Sequence, residues 1–420
     1  MKPYCSLPAT ALRWCLVLIV LVVNAGFCTA TGRPHPAKTV SPAFAHGASP
    51  LARSGSEHFH NMEYDRAVRD FTLDAQQRPD DPFAANHLLT AVLFKELYRV
   101  GALDTELYAS DSFLSARQFE VDPKVREHIR QLTDRALALS EARLQANPDD
   151  IDALYARGVT KATRATTLGL MDKAWFSALR SAIGARRDHE RVLELDPNYS
   201  DAKMVVGIHY YIVGSLSWTI KAAASMVGLS GSRTKGIQYL YEASRGGGEA
   251  SVDATMALAL FLRREQRYPE AIQLVGGLEA AYPHNFLVAL EYANLLNAAG
   301  RGPEAIAAYR NLLDEARSGA YQDPRLEQVS WGLGEALRGQ QDFAGAVAAY
   351  EAVGSFSRVQ PELLDRANLA AGEMYDILQQ RDLAIRKYQQ VVAAAGETPR
   401  ASLARKYLKQ PYRVPKAYFR

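Results

Sequence analysis

Three short stretches carry residue types that could do chemistry. His58-Phe59-His60 sets two imidazoles two positions apart, the start of a metal-ligand pattern. A protein zinc site needs three or four ligands, and no cysteine or spaced third ligand stands nearby, so the pair reads as fortuitous. Asp188-His189-Glu190 places an acid, a base and an acid in a row, the types that move protons in general acid–base catalysis. In a helix, however, consecutive side chains point in different directions, so these three read as a solvated face. Gly246-Gly247-Gly248-Glu249 has the glycine density of a phosphate loop. No strand pattern precedes it and no Gly-Lys-Ser/Thr follows, which leaves a turn between helices. No Ser/His/Asp set, carboxylate pair or metal constellation converges elsewhere, so the chain is expected to be no enzyme and to use no cofactor.

The elements that hold these residues follow a period. Ala271 and Ala305 stand 34 residues apart, each with a small residue twelve positions before it (Ala259, Ala293) and an apolar or aromatic one four after (Val275, Tyr309). Such a period is built from two helices that bury their apolar faces only by stacking on neighbours. Within Val252–Pro283, Leu258, Ala259 and Leu262 share one helix face, and Ala271, Ile272, Val275 and Leu278 share another. Tyr268-Pro269 opens the second helix, where the missing proline N–H costs nothing. Small residues at the crossing let the helix axes approach to about 8–10 Å.

Ala293/Ala305/Tyr309, Gly334/Ala346/Tyr350 and Gly372/Ala384/Tyr388 repeat the small–small–aromatic pattern, and Gly332-Leu333-Gly334 is absorbed by it. At these residues, from about Val252 to Ala395, the chain resembles the tetratricopeptide repeat family. The amino-terminal half is looser: Ala67/Pro79, Ala136/Pro148 and Ala185/Pro197 repeat an alanine-to-proline spacing of twelve. Between Gly158 and Ala185, and between Gly207 and Gly236, the chain carries 15 and 17 residues more than the simple repeat, so longer helices or an extra turn must fit there. Gly207–Trp218 with Leu229–Leu240 is similar to the middle of the tetratricopeptide-repeat protein 39 family, a resemblance that implies an interaction protein.

The expected fold is therefore all-α, a tetratricopeptide-like α-solenoid in which antiparallel helix pairs form a right-handed superhelix. The resemblance implies that first helices line a concave groove presenting Leu290, Asn294 and Asn297 on one helix and Trp331, Glu335 and Arg338 on the next, with Arg263 and Arg264 at the same edge. The family's clamp for an acidic peptide terminus has a basic residue followed four later by asparagine. Met256 and Leu260 stand at those places, so that specificity is not carried over. An aromatic and an arginine are frequent binding hot spots, while packing of Trp331 on the adjacent repeat is the competing reading.

Residues 1–30 read as a signal peptide: Lys2 and Arg13 precede an apolar core from Cys15 to Val23, and Cys28-Thr29-Ala30 supplies small residues for cleavage. Val23-Asn24-Ala25 offers a second cleavage site; Cys5, Cys15 and Cys28 all precede Ala30, so a chain cut after Ala30 is expected to hold no thiol, and export to a periplasmic or secreted location follows. Residues 31–56 read as a flexible leader, 57–250 as divergent repeats, 251–396 as regular repeats and 397–420 as a capping helix with a basic tail. The formal net charge of +3 over 420 residues gives no clustered basic surface for nucleic acid. Ile208–Val227 is apolar enough for membrane contact, but Lys221 would be costly in hydrocarbon, which favours a buried helix. The reading that results is an exported scaffold for a protein or peptide partner. The alternative is a lipid- or envelope-associated assembly factor, peripheral to a membrane, using the central helices and the basic tail.

Overall fold

The computed structural model describes residues 49–103, 119–218, 221–222, 225 and 229–413, and among them every regular element is helical. Helices α1 (Pro50–His60), α2 (Tyr64–Gln77), α3 (Pro82–Arg99), α4 (Pro123–Ala146), α5 (Ile151–Thr166), α6 (Trp175–Leu195), α7 (Ala202–Ser215), α8 (Arg233–Arg245), α9 (Ser251–Arg264) and α10 (Tyr268–Ala281) belong to a unit ending at Pro283. A second unit, beginning at His284, contains α11 (Phe286–Ala298), α12 (Gly302–Arg317), α13 (Leu326–Gly339), α14 (Phe343–Val353), α15 (Pro361–Ile377), α16 (Arg381–Ala395) and α17 (Pro399–Lys409). Within each unit every helix packs on the next in the chain, the all-α stacking of a tetratricopeptide-like solenoid.

Local chemistry starts these helices. Asp81, Asp122 and Asp150 accept the backbone N–H of Phe83, Lys124 and Ala153 at 2.9, 2.8 and 3.0 Å, and proline opens α1, α3 and α4. Pairing is then fixed by a close approach. A Cβ added at Gly55, Gly334 or Gly372 would lie 2.6, 2.4 or 2.5 Å from a ring carbon of Phe71, Tyr350 or Tyr388, so each glycine is the seat of its partner helix's ring. Ala67, Ala305, Ala346 and Ala384 at the crossings are fully buried.

Gly55/Ala67/Phe71 is thus a repeat with the same spacing as the later ones. Helix α1 starts at Pro50, inside the stretch expected to be a leader, where Ser49 caps it and Phe59 and His60 are buried. The insertion after Gly158 is taken up as foreseen by added helix: a π turn at Thr167–Met171 extends α5, and α6 runs 21 residues. In the apolar central stretch Ile208, Tyr211, Ile212 and Val213 of α7 are buried, while residues 219–220, 223–224 and 226–228 lie outside the described residues, as do the first 48. No helix among the described residues is long and apolar enough to cross a membrane. At the carboxyl end Ala401 and Ala404 of α17 are buried, while Leu403 is 42% exposed.

The register predicts a contrast on α12. Ala305 is fully buried and Ala307 is exposed. Ala305→Phe is expected to lower stability by about 1–3 kcal/mol through overpacking, and Ala307→Phe to leave it nearly unchanged. Equal shifts of the two variants in urea midpoint would contradict the register.

Candidate functional site

The side chains expected to line the groove fall into two groups. Leu290 and Asn294 of α11 are buried, and the Asn294 Oδ1 accepts the Tyr309 hydroxyl at 2.7 Å, so both belong to the packing of their own pair. Asn297, one turn further on, is half-buried. On α13, Trp331, Glu335 and Arg338 are all half-buried and face neighbouring elements rather than bulk core. The Trp331 ring lies 5.4 Å from the ring of Tyr350, and the Arg366 guanidinium sits 4.4 Å above its centre, a cation–π contact. Glu335 accepts the Tyr350 hydroxyl at 2.5 Å. Arg338 pairs with Glu373 at 3.0 Å and donates to the Tyr412 hydroxyl at 3.3 Å.

Glu373 and Asp376 of α15 extend the strip. Burial lifts the Glu373 carboxyl to about 7, against the opposing pull of Arg338. Asp376 gathers the Tyr388 hydroxyl at 2.9 Å, the Arg381 guanidinium at 2.9 Å and the Tyr412 backbone N–H at 2.7 Å. Arg381 in turn donates to the carbonyls of Tyr407 and Leu408 at the end of α17, at 2.7 and 2.8 Å. A strip of aromatic faces, guanidiniums and carboxylates on first helices can recognise an extended chain by stacking and charge-assisted hydrogen bonds.

Sequence reasoning named Trp331, Glu335 and Arg338 but missed Arg366, Glu373, Asp376 and Tyr412. The signal for two of them was available. Leu290, Asn294 and Asn297 stand three before, one after and four after Ala293, as Trp331, Glu335 and Arg338 do about Gly334. The same offsets about Gly372 give Leu369, Glu373 and Asp376. Tyr412 arrives by a return of the chain after α17, which no local spacing encodes.

Arg263 and Arg264 belong to the first unit, where both are half-buried in the last turn of α9. That unit also corrects one expectation. Asp188 and His189 are no solvated face: Asp188 is buried and held by Arg157 at 2.7 and 3.0 Å and by Lys161 at 2.7 Å, while His189 is fully buried with its ring on Gly158. His60 is likewise buried, its Nε2 4.0 Å from Asp253, and His87 lies 3.6 Å from Glu249 in the Gly246–Glu249 turn. Asp201 accepts the backbone N–H groups of Glu249 and Ala250 at 2.9 and 3.2 Å. Burial, then the nearby Glu249 charge, raises its carboxyl to about 7, whereas burial lowers His60 and His189 to about 4. The His60–Asp253 and His87–Glu249 contacts join α1 and α3 to α9 and the turn before it. Among the described residues no group of three His, Cys, Asp or Glu could hold a metal ion.

Comparison with known proteins bears on the fold alone. No family model matches the chain, and no curated protein does. Among solved structures, the APC/C hetero-tetramer Cut9-Hcn1 is similar with a TM-score of 0.48 at 14% identity, over 88% of this chain and 57% of that one. A tetratricopeptide repeat protein from Parabacteroides merdae is similar with a TM-score of 0.33 at 13% identity, over 76% and 97%. The human IFIT1 dimer with m7Gppp-AAAA is similar with a TM-score of 0.43 at 11% identity, over 96% and 86%.

Proposed function

We propose that this chain is an exported, non-catalytic scaffold that binds an extended segment of a partner protein along α13, α15 and α17. The observation that supports this reading is the half-buried strip formed by Trp331 under Arg366, Glu335 and the Arg338–Glu373 pair, braced from beneath by the buried Asp376 carboxylate. Each guanidinium in it already faces a carboxylate or a ring. Such a surface suits the alternating polar and apolar side chains of a peptide better than a phosphate backbone, which calls for a run of uncompensated cations. Export rests on the character of residues 1–30.

A photo-cross-linking residue in place of Arg366 is expected to capture a protein, and the same residue at exposed Arg310 on α12 is not. Equal yields at the two positions, or products removed by nuclease, would refute the peptide-binding face. Once the partner is in hand, Trp331→Ala is expected to weaken binding by about 2 kcal/mol, as loss of a central hot spot does. Retained affinity together with retained thermal stability would eliminate Trp331 as a contact.

One observation favours the second reading, association with a lipid or envelope surface. Phe176 and Trp218, both in the first unit, are 74% and 80% exposed. Flotation of the mature chain with liposomes tests it.

A further inference from the structure

A separate feature of the first unit needs no part of the groove reading. Helices α5, α6 and α7 leave a pocket lined by Ala162, Leu179, Ala182, Ile183, Val205 and Ile212, with Val213 and Leu229 closing one side. Only about 40 Å³ of it admits the centre of a water molecule, so it is a slot rather than a chamber.

The two side chains in its lining that are neither alanine nor branched aliphatic are Arg186 and His209. Arg186 donates from Nη1 to the His209 Nε2 at 3.0 Å, and its Nε is buried, 3.4 Å from Glu190 and without a hydrogen bond. Since arginine only donates, His209 accepts there as a neutral ring, and the backbone of Ser230 holds it. A guanidinium in the wall of an aliphatic slot, paired with Glu190 only at 3.4 Å and through an Nε–H that makes no hydrogen bond, can take an anionic head attached to an apolar tail. A cationic head would meet Arg186 with the wrong sign.

We infer that this slot binds the alkyl chain of a long-chain carboxylate, with the carboxylate taken by Arg186 beside His209. The tail lies among the aliphatic side chains of α5, α6 and α7. Phe176 continues the face of α6 that carries Leu179, Ile183 and Arg186, which gives that face an exposed apolar extension.

Calorimetric titration of the full chain with dodecanoate, below its micelle concentration, tests the site, with dodecyltrimethylammonium as the probe of equal tail and opposite charge. Saturable binding of one dodecanoate is expected, and none of the ammonium compound. Arg186→Gln is expected to weaken dodecanoate at least about tenfold, the scale of one lost charge-assisted fork. Ala182→Trp, which places an indole in the lining of the slot, should abolish binding, with circular dichroism checking that the helix content is kept. No saturable binding to the native chain would overturn the proposal. So would equal uptake of both probes, or affinity unchanged in a folded Ala182→Trp.

Discussion

Acidification from pH 7 to pH 5 is expected to destabilise the unit ending at Pro283. His60, His189 and His209 are each lowered by burial from 6.5 to about 4. Above pH 6.5 each is neutral in both the folded and the unfolded chain, and folding has no proton linkage. Below it the unfolded chain takes up a proton that the folded chain refuses, so stability falls until the folded group itself titrates near pH 4. At roughly 1.4 kcal/mol per unit, each histidine removes about 2 kcal/mol by pH 5. Asp201 acts in the opposite sense. Its folded value, about 7 against 3.8, lets the folded chain bind a proton first, which adds about 3 kcal/mol over the same interval. The net expected loss is about 3 kcal/mol.

His189→Phe isolates one contribution. Phe71 occupies the corresponding place in the first pair, with its ring on Gly55 as the His189 ring is on Gly158, so phenylalanine keeps the packing and removes the titration. It also removes the buried Nε2, which has no hydrogen-bond partner. Hydrogen exchange on α5 and α6, followed against urea at pH 7 and pH 5 and corrected for intrinsic rates, should show a pH difference smaller by about 2 kcal/mol in the variant. An identical difference in both proteins would mean that His189 is already charged, or already solvated, in the folded chain.

The same residue shows what the sequence could and could not disclose. The repeat was legible from Ala259 to Tyr388 because small residues and rings recur at fixed intervals, and packing demands little more than their sizes. Gly158/Ala185/His189 obeys the same chemistry: Gly158 and Ala185 are legible as its small positions despite 15 extra residues, but an imidazole in the ring position is not, and Asp188 and His189 therefore read as surface. Gly55 was lost among the prolines, glycines and serines that precede it, although Ala67 and Phe71 follow at the regular spacing. On the candidate face, Trp331, Glu335 and Arg338 follow from the register alone. Their partners come from other helices: Arg366 and Glu373 from α15 and Tyr412 from beyond α17. The Arg186–His209 contact spans 23 residues across two helices, and nothing in the local pattern of either announces it.

Gly334→Ala should be among the most damaging single-methyl additions to the second unit. The new Cβ would stand 2.4 and 2.6 Å from Cε1 and Cδ1 of Tyr350, closer than carbon atoms pack, so the ring must move. Its room to do so is small: Tyr350 is 1% exposed, its hydroxyl is held by Glu335, and Trp331 lies against it at 5.4 Å. Alanine's better helix propensity, about 0.5–1 kcal/mol, offsets only part of the overpacking, and a net loss of about 2 kcal/mol is expected. Gly339 on the same helix is the control, since a Cβ there meets nothing within 4 Å, and Gly339→Ala should be neutral or slightly stabilising. The ring's displacement also carries to the candidate face, because moving the Tyr350 hydroxyl frees Glu335 and shifts Trp331 under Arg366. Nearest-neighbour stacking should confine the loss of hydrogen-exchange protection mainly to α13, α14 and the helices that touch them. A Gly334→Ala chain as stable as Gly339→Ala would show that the ring does not sit on the first helix of its pair, and the spacing of small residue and ring would lose its meaning as the device that closes each repeat.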